Sequence, residues 1–221
     1  MKTGLNAFDS GFGDIEAGKL YCIGCTSLID RLSMMVKISL GLLYWQSGLA
    51  IISLDYERQS IVDELKKCHE EAKNHPGPVS LWVDHQPITT YTLIKSTLER
   101  ILRKNRNLLH GLIIDNMVKI RADFQCPEVG MRVTANLYLL CMIAQEYNIP
   151  VVAFSELYPD EKLLLPFVES EYIEKMAVCH AKSEKLPRPL RRDAFIIASD
   201  KKQKQPTHID VPVGVIYQSK Q

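Results

Sequence analysis

Three carboxylates, Asp55, Asp115 and Glu156, each stand at the end of a short apolar run. A fourth segment, Cys25-Thr-Ser-Leu-Ile-Asp-Arg-Leu32, joins an apolar run to a stretch with helical spacing. A strand that enters a loop and then a helix, followed later by an apolar strand ending in Asp, is the skeleton of a site for nucleotide phosphates. The chemistry of such a site is demanding. Backbone N–H groups and a helix N-terminus hold the phosphates, a lysine ammonium neutralises them, and a Ser or Thr hydroxyl takes Mg²⁺. A carboxylate on a neighbouring strand then holds the water shell of the metal.

The elements that must position these residues alternate between apolar runs and helical patterns, as in a parallel sheet covered by helices on both faces. Lys19 to Gly24 reads as a buried strand, Asp30 to Ser47 as a helix stopped at Gly48, and Leu49 to Leu54 as a second strand. Gln59 to Asn74 has Ile61, Val62, Leu65 and Cys68 at helical spacing, and His-Pro-Gly-Pro closes it before strand Val79 to Asp84. A helix from Thr90 to Lys104 leads to Gly111-Leu-Ile-Ile-Asp115, too short for a helix and read as a central strand. Glu128 to Tyr147 is a long helix feeding Ile149 to Ser155, a strand with proline at its start, where a missing N–H costs least. Three further runs, Met176 to Cys179, Ala194 to Ala198 and Ile209 to Val215, suggest extra strands at the sheet edge. Lys182 to Arg192 and Asp200 to Gln205 have the composition of solvent-facing loops. The expectation is one α/β domain spanning residues 1–221, with a mainly parallel sheet between helices.

The motifs together carry a family resemblance. Thr3-Gly-Leu-Asn-Ala-Phe-Asp9 followed by Gly18-Lys-Leu-Tyr-Cys-Ile-Gly24 is similar to the opening of the RecA-like C-terminal domain of DnaB-type replicative helicases. Leu49-Ala-Ile-Ile-Ser-Leu-Asp55 resembles that family's strand ending in Ser-Leu-Glu, and Gly111-Leu-Ile-Ile-Asp115 resembles its Walker B strand. Ile149-Pro-Val-Val-Ala-Phe-Ser-Glu-Leu157 resembles the strand ending in Ser-Gln-Leu. The ordered set covers nearly the whole chain and implies a P-loop NTPase fold of RecA type; the helicase N-terminal domain has no counterpart in the sequence.

Against that pattern the departures fall on the chemistry. The loop Cys25, Thr26, Ser27, Leu28, Ile29, Asp30, Arg31, Leu32 has Asp30-Arg31-Leu32 where the family has Gly-Lys-Thr. Asp30 replaces the glycine that lets the backbone approach phosphate and adds charge of the wrong sign. Leu32 lacks the metal-binding hydroxyl, and the planar guanidinium of Arg31 does not reproduce a compact ammonium. Glu156 replaces a glutamine that could donate to a γ-phosphate. The family's trans-acting Lys-x-Arg aligns with Ser199-Asp-Lys201, which has no arginine. Asp55 has two open readings, a shortened version of the family's water-activating glutamate or a cap for the next helix. With no hydroxyl on Leu32, Asp115 reads as a solvated or capping strand-end residue. The expectation is a pseudo-ATPase in which Asp55, Asp115 and Glu156 are vestigial, with no catalytic residue, metal or cofactor. Bound ATP and Mg²⁺ belong only to the alternative, a divergent helicase or ATPase that uses Arg31 in place of lysine.

Composition bounds the rest. The 221 residues carry 27 basic and 26 acidic side chains, a formal net charge of +1, so bulk charge cannot hold this chain on nucleic acid. DNA contact would be local, through Lys119, Arg121, Arg188, Arg191, Arg192, Lys201, Lys202 and Lys204, whose ordinary alternative is a solvated surface. No aromatic residues interleave with them to stack bases. Cys22-Ile-Gly-Cys25 has the spacing of a redox or zinc pair without a second pair to complete it, and the six cysteines fit reduced, buried thiols. The N-terminus has no signal-type apolar segment, and Met34 to Leu54 is broken by Lys37, Gln46 and Ser47, so a cytoplasmic location without membrane insertion is expected. The expected partners are DNA, another RecA-type ATPase, or a second copy of the chain; a recombinase-like or clock-protein-like relative would share the fold and differ in partner.

Overall fold

The computed structural model describes residues 8–10, 13–25, 31–45, 48–70, 78–104, 109–121, 128–156, 170–181, 195–199 and 214–217. The strands are β1 (Leu20–Cys25), β2 (Gly48–Ser53), β3 (Pro78–His85), β4 (Leu112–Asp115), β5 (Val151–Glu156), β6 (Lys175–Ala181), β7 (Phe195–Ser199) and β8 (Gly214–Tyr217). The helices are α1 (Arg31–Trp45), α2 (Arg58–Glu70), α3 (Tyr91–Lys104) and α4 (Val129–Tyr147), with a 3₁₀ turn at Met117–Lys119. They form an eight-stranded sheet in the order β7-β6-β1-β5-β4-β2-β3-β8. Every neighbouring pair runs parallel.

A parallel sheet has helices on both faces, so its strands are buried on both sides and read as continuous apolar runs. That is why β1, β2 and β4 are buried at every position. Alternate residues divide between two cores. Tyr21, Ile23, Ile51, Ile113, Val152 and Phe154 pack with Met35, Ile38 and Leu43 of α1 and Ile61 and Leu65 of α2. Leu20, Cys22, Ile52, Ile114 and Ala153 pack on the other face with Ile94 and Leu98 of α3 and Val133, Leu137 and Leu140 of α4. The chain steps outward from β1 to β2 and β3 beneath α1 and α2, then returns to β4 and β5 beneath α3 and α4. Changing face as it changes direction keeps one hand of crossover throughout, as parallel connections require. All the intervening strands therefore end at the same edge.

The same alternation disposes of the Cys22–Cys25 pair. Three residues apart on a strand, the two side chains lie on opposite faces: Cys22 belongs to one core and Cys25 to the other. They cannot share a metal ion or form a disulfide. Local turn chemistry is also visible. Gly18 enters β1 at φ +76°, a conformation that favours glycine, and its N–H donates to the Ile149 carbonyl. Asn148 ends α4 in the left-handed region, its N–H bonded back to the Ala144 and Gln145 carbonyls.

The edge strands differ from expectation in place. β6 and β7 extend the sheet beyond β1, whereas β8 returns to the opposite edge beside β3. Gly48, expected to stop a helix, opens β2, because α1 has already ended at Trp45. Of the run from Ile209 to Val215, only Gly214 and Val215 fall in β8, and 209–213 lie outside the described residues. No helix among the described residues is long and apolar enough to cross a membrane. Phe154 has no exposed surface and Met131 is 58% exposed. Truncating Phe154 to Ala is expected to cost about 3–5 kcal/mol in urea unfolding, while Met131→Ala is expected to stay within about 0.5 kcal/mol.

Candidate functional site

The carboxyl ends of β1, β2, β4 and β5 lie side by side in the sheet, at the edge where open α/β folds place ligands. Arg31, the first residue of α1, extends across this edge. Its Nε donates to Asp115 Oδ1 at 2.6 Å. One terminal nitrogen donates to Asp55 Oδ2, and the other lies 3.8 Å from Glu156 Oε2. The guanidinium carbon lies 5.4 Å from the centre of the Tyr56 ring, within range of a cation–π contact. The Arg31 side chain is only 8% exposed and that of Asp115 not at all.

Each carboxylate is held from more than one side. Ser53 Oγ donates to the second oxygen of Asp115 at 2.9 Å, and the same hydroxyl accepts the Tyr56 N–H. β2 and β4 are adjacent and in register, with Ser53 paired to Asp115, so the sheet itself brings this bond together. Asp55 Oδ2 also accepts from Asn116 Nδ2 at 3.1 Å, and its Oδ1 accepts from the Lys119 ammonium. The turn that presents Asn116 and Lys119 is tied to α4 by Asn136, whose Nδ2 donates to the Met117 and Ile120 carbonyls at 3.1 and 3.0 Å.

The electrostatics follow from this geometry. Burial by itself pushes the Asp55 carboxyl up, but Lys119, Asn116 and Arg31 outweigh it and hold the group below its ordinary value. Burial pulls the Arg31 guanidinium down, and Asp115 and Asp55 more than reverse that. For Asp115 burial is the dominant influence and raises the carboxyl, against the opposing pull of Arg31 and Ser53. The two partners thus do not shift as mirror images. The 2.6 Å contact supports an ionised pair at neutral pH, because a neutral carboxyl would leave the guanidinium buried without its counter-charge.

The structure brings Arg31, Asp55, Asp115 and Glu156 into one cluster, as their positions at strand and helix ends suggest. Asp115 differs from the reading as a solvated or capping residue. It is fully buried and paired, because β4 is central and Arg31 closes over its end. Asp55 directs its oxygens at Arg31, Asn116 and Lys119, which leaves the helix-cap reading without support. Lys119, considered above as a DNA contact, gives its ammonium to Asp55 although the side chain is 50% exposed. Arg121 is exposed, and its N–H donates to the Thr89 carbonyl. Leu32 packs against the α1-side core and Cys25 is buried there. Thr26, Ser27, Leu28, Ile29 and Asp30 lie outside the described residues, as do Arg188, Arg191, Arg192, Lys201, Lys202 and Lys204. Sequence reasoning passed over Ser53, Tyr56, Asn116 and Asn136; the first three lie beside or nearly beside Asp55 or Asp115 in the chain, and that proximity was the available signal.

No protein-family model matches the chain, and no curated protein sequence matches it. Solved structures do. One, a helicase ATPase domain of the DnaB-like kind, superposes with a TM-score of 0.59 at 12% identity, covering 71% of this chain and 63% of that one. A DnaB-like replicative helicase, solved in work on its interactions with primase, gives a TM-score of 0.58 at 12% identity, covering 71% of this chain and 43% of that one. The chain has the fold of RecA-like helicase ATPase domains. At this identity the likeness establishes the fold alone, and the chain spans less than two thirds of either relative. Within that RecA-like fold, the edge where phosphate chemistry is expected holds an arginine between two carboxylates.

Such an arrangement leaves little to a ligand. Both oxygens of Asp55 and both of Asp115 already accept hydrogen bonds from protein donors. A Mg²⁺ ion, which needs near-octahedral oxygen ligands, would have to displace them. An Asp held below its ordinary value by three donors is also a weak proton acceptor. Among the described residues no group of three His, Cys, Asp or Glu side chains is disposed to hold a metal ion.

Two outcomes are expected. Asp115→Ala leaves the Arg31 guanidinium buried without its closest partner, and should cost about 3–5 kcal/mol in chemical denaturation. Asp55 has a lowered carboxyl, so its contribution is present above its unfolded value near 3.8 and is lost as pH falls through the lower folded value. Urea midpoints of wild type and Asp55→Asn measured from pH 7 to pH 3 should therefore differ most above about pH 4 and converge below it.

Proposed function

We propose that the chain is a catalytically degenerate RecA-like domain that acts by binding or assembly, without hydrolysing nucleotide, in DNA replication, recombination or a mobile element. The observation that carries this reading is the attachment of Arg31 to both Asp55 and Asp115. A lysine-like role on phosphate would require Arg31 to leave two buried or nearly buried carboxylates, at a cost of several kcal/mol. The substitutions at Asp30, Leu32 and Glu156 act in the same direction, by removing a glycine, a metal-binding hydroxyl and a neutral donor. The partners this reading favours are another RecA-type ATPase, a second copy of the chain, or DNA met through local basic residues such as Arg121, in the cytoplasm.

The competing reading is a divergent ATP-dependent helicase or ATPase that uses Arg31 on phosphate. The two readings separate by thermal unfolding in the presence of Mg-ATP. A ligand at one hundred times its dissociation constant adds about 2.7 kcal/mol, a shift of several degrees in a chain of this size. The expected result is no shift and no phosphate release in the wild type, with a shift appearing in the triple variant Asp30→Gly, Arg31→Lys, Leu32→Thr. A Mg-ATP shift in the wild type that Asp115→Ala abolishes would establish a working nucleotide site instead.

A further inference from the structure

The walls around Arg31 have a chemistry of their own. Asp115 and Asp55 approach the guanidinium from two directions in its plane, and the Tyr56 ring lies 5.4 Å from its central carbon. Planar cations with N–H groups in a fixed fork fit such a setting, whereas a spherical ammonium or metal ion gains nothing from the ring and the fork. A second, independent feature points the same way. Asn116 has no exposed surface, its Nδ2 donates to the Asp55 oxygen that Arg31 also uses, and its Oδ1 has no hydrogen-bond partner. A buried acceptor left unsatisfied is costly. The tethered guanidinium of Arg31 does not satisfy it, while a free guanidinium, with six N–H groups and no backbone attachment, has donors to spare for it.

We propose that Asp115, Asp55, Tyr56 and Asn116 form a guanidinium-binding cage in which Arg31 is the tethered resident ligand. The class of ligand selected is a planar guanidinium, in place of a nucleotide phosphate or a divalent cation. This deepens the non-hydrolysing reading and rests on the same pairing of Arg31. The cage is filled from within the chain, and its occupant joins the start of α1 to the ends of β2, β4 and β5 without any bound nucleotide. Emptying it by shortening Arg31 leaves a vacancy with the charge and shape of the missing group.

The test uses Arg31→Ala in the full chain, probed with millimolar guanidinium and methylguanidinium, a truncated arginine side chain. Methylammonium, urea and Mg²⁺ at equal concentration serve as controls. The expected result is a rise of several degrees in the unfolding midpoint of Arg31→Ala with the two guanidinium probes alone. No rise is expected in the wild type, whose cage is occupied, or in Arg31→Ala combined with Asp115→Asn. Equal stabilisation by methylammonium or Mg²⁺, or none by guanidinium, overturns the cage. Should Arg31→Ala not fold, the wild type supplies the measurement, through proton exchange at arginine Nε–H in nitrogen-15 NMR. Exchange at Arg31 at least tenfold slower than at Arg103, whose side chain is 82% exposed, supports the cage; equal exchange overturns it. Failure here with no Mg-ATP shift in the wild type removes the cage and leaves the non-hydrolysing reading in place, whereas a wild-type Mg-ATP shift removes that reading.

Discussion

One buried cation sets the terms for the whole edge of this sheet. Asp115 ends a central strand and is entirely shielded from water, so its charge must be met from inside the protein. Arg31 meets it, and in doing so reaches Asp55 and Glu156 as well. Five charged groups share one volume: Arg31 and Lys119 against Asp55, Asp115 and Glu156. Such an assembly does not make the fold more stable than an apolar core of similar volume would, since desolvation offsets much of the attraction. What it does is fix which groups are unavailable. Each carboxylate that could take a metal ion or a proton already has a donor within the chain.

The scaffold makes this possible by ending adjacent strands at the same edge. Parallel strands joined by crossovers of one hand bring residues distant in the chain, such as Ser53 and Asp115, into register as neighbours. Two apolar layers, one beneath α1 and α2 and the other beneath α3 and α4, hold those strands rigidly. The polar cluster sits above both layers and adds a third kind of contact between the same strands. Asn136 shows how far this reaches: a buried amide on α4 fixes the turn whose Asn116 and Lys119 complete the coordination of Asp55. RecA-like architecture is compatible with phosphate chemistry, but the fold does not supply that chemistry. Residue identity at a few strand ends does.

Much of this was legible in the order of residues. The apolar runs that became β1, β2, β4 and β5 are continuous because both faces are covered, and that continuity is a local property of the sequence. Helices α2, α3 and α4 were equally plain from spacing, within a few residues at their ends. The likeness to a DnaB-type motor domain, and the loss of glycine, lysine and hydroxyl in the loop, also need only the letters in order. Less could be read at the sheet edges. β8 returns to the far side of the sheet beside β3, and nothing in a four-residue run states which edge it will join.

What the sequence alone determined, then, is the alternation of elements, the apolar composition of the strands and the absence of a lysine from the loop before α1, because each is encoded by neighbours along the chain. What only the tertiary structure decided is where Arg31 goes. Its partners Asp55 and Asp115 lie 24 and 84 residues away, and no local pattern ties an arginine at a helix start to a carboxylate at so great a separation. The same holds for Asp115, which reads as a strand-end residue open to solvent until α1 and its arginine are folded over it. Burial and pairing are properties of three-dimensional neighbours, and these neighbours converge only when the parallel sheet is assembled.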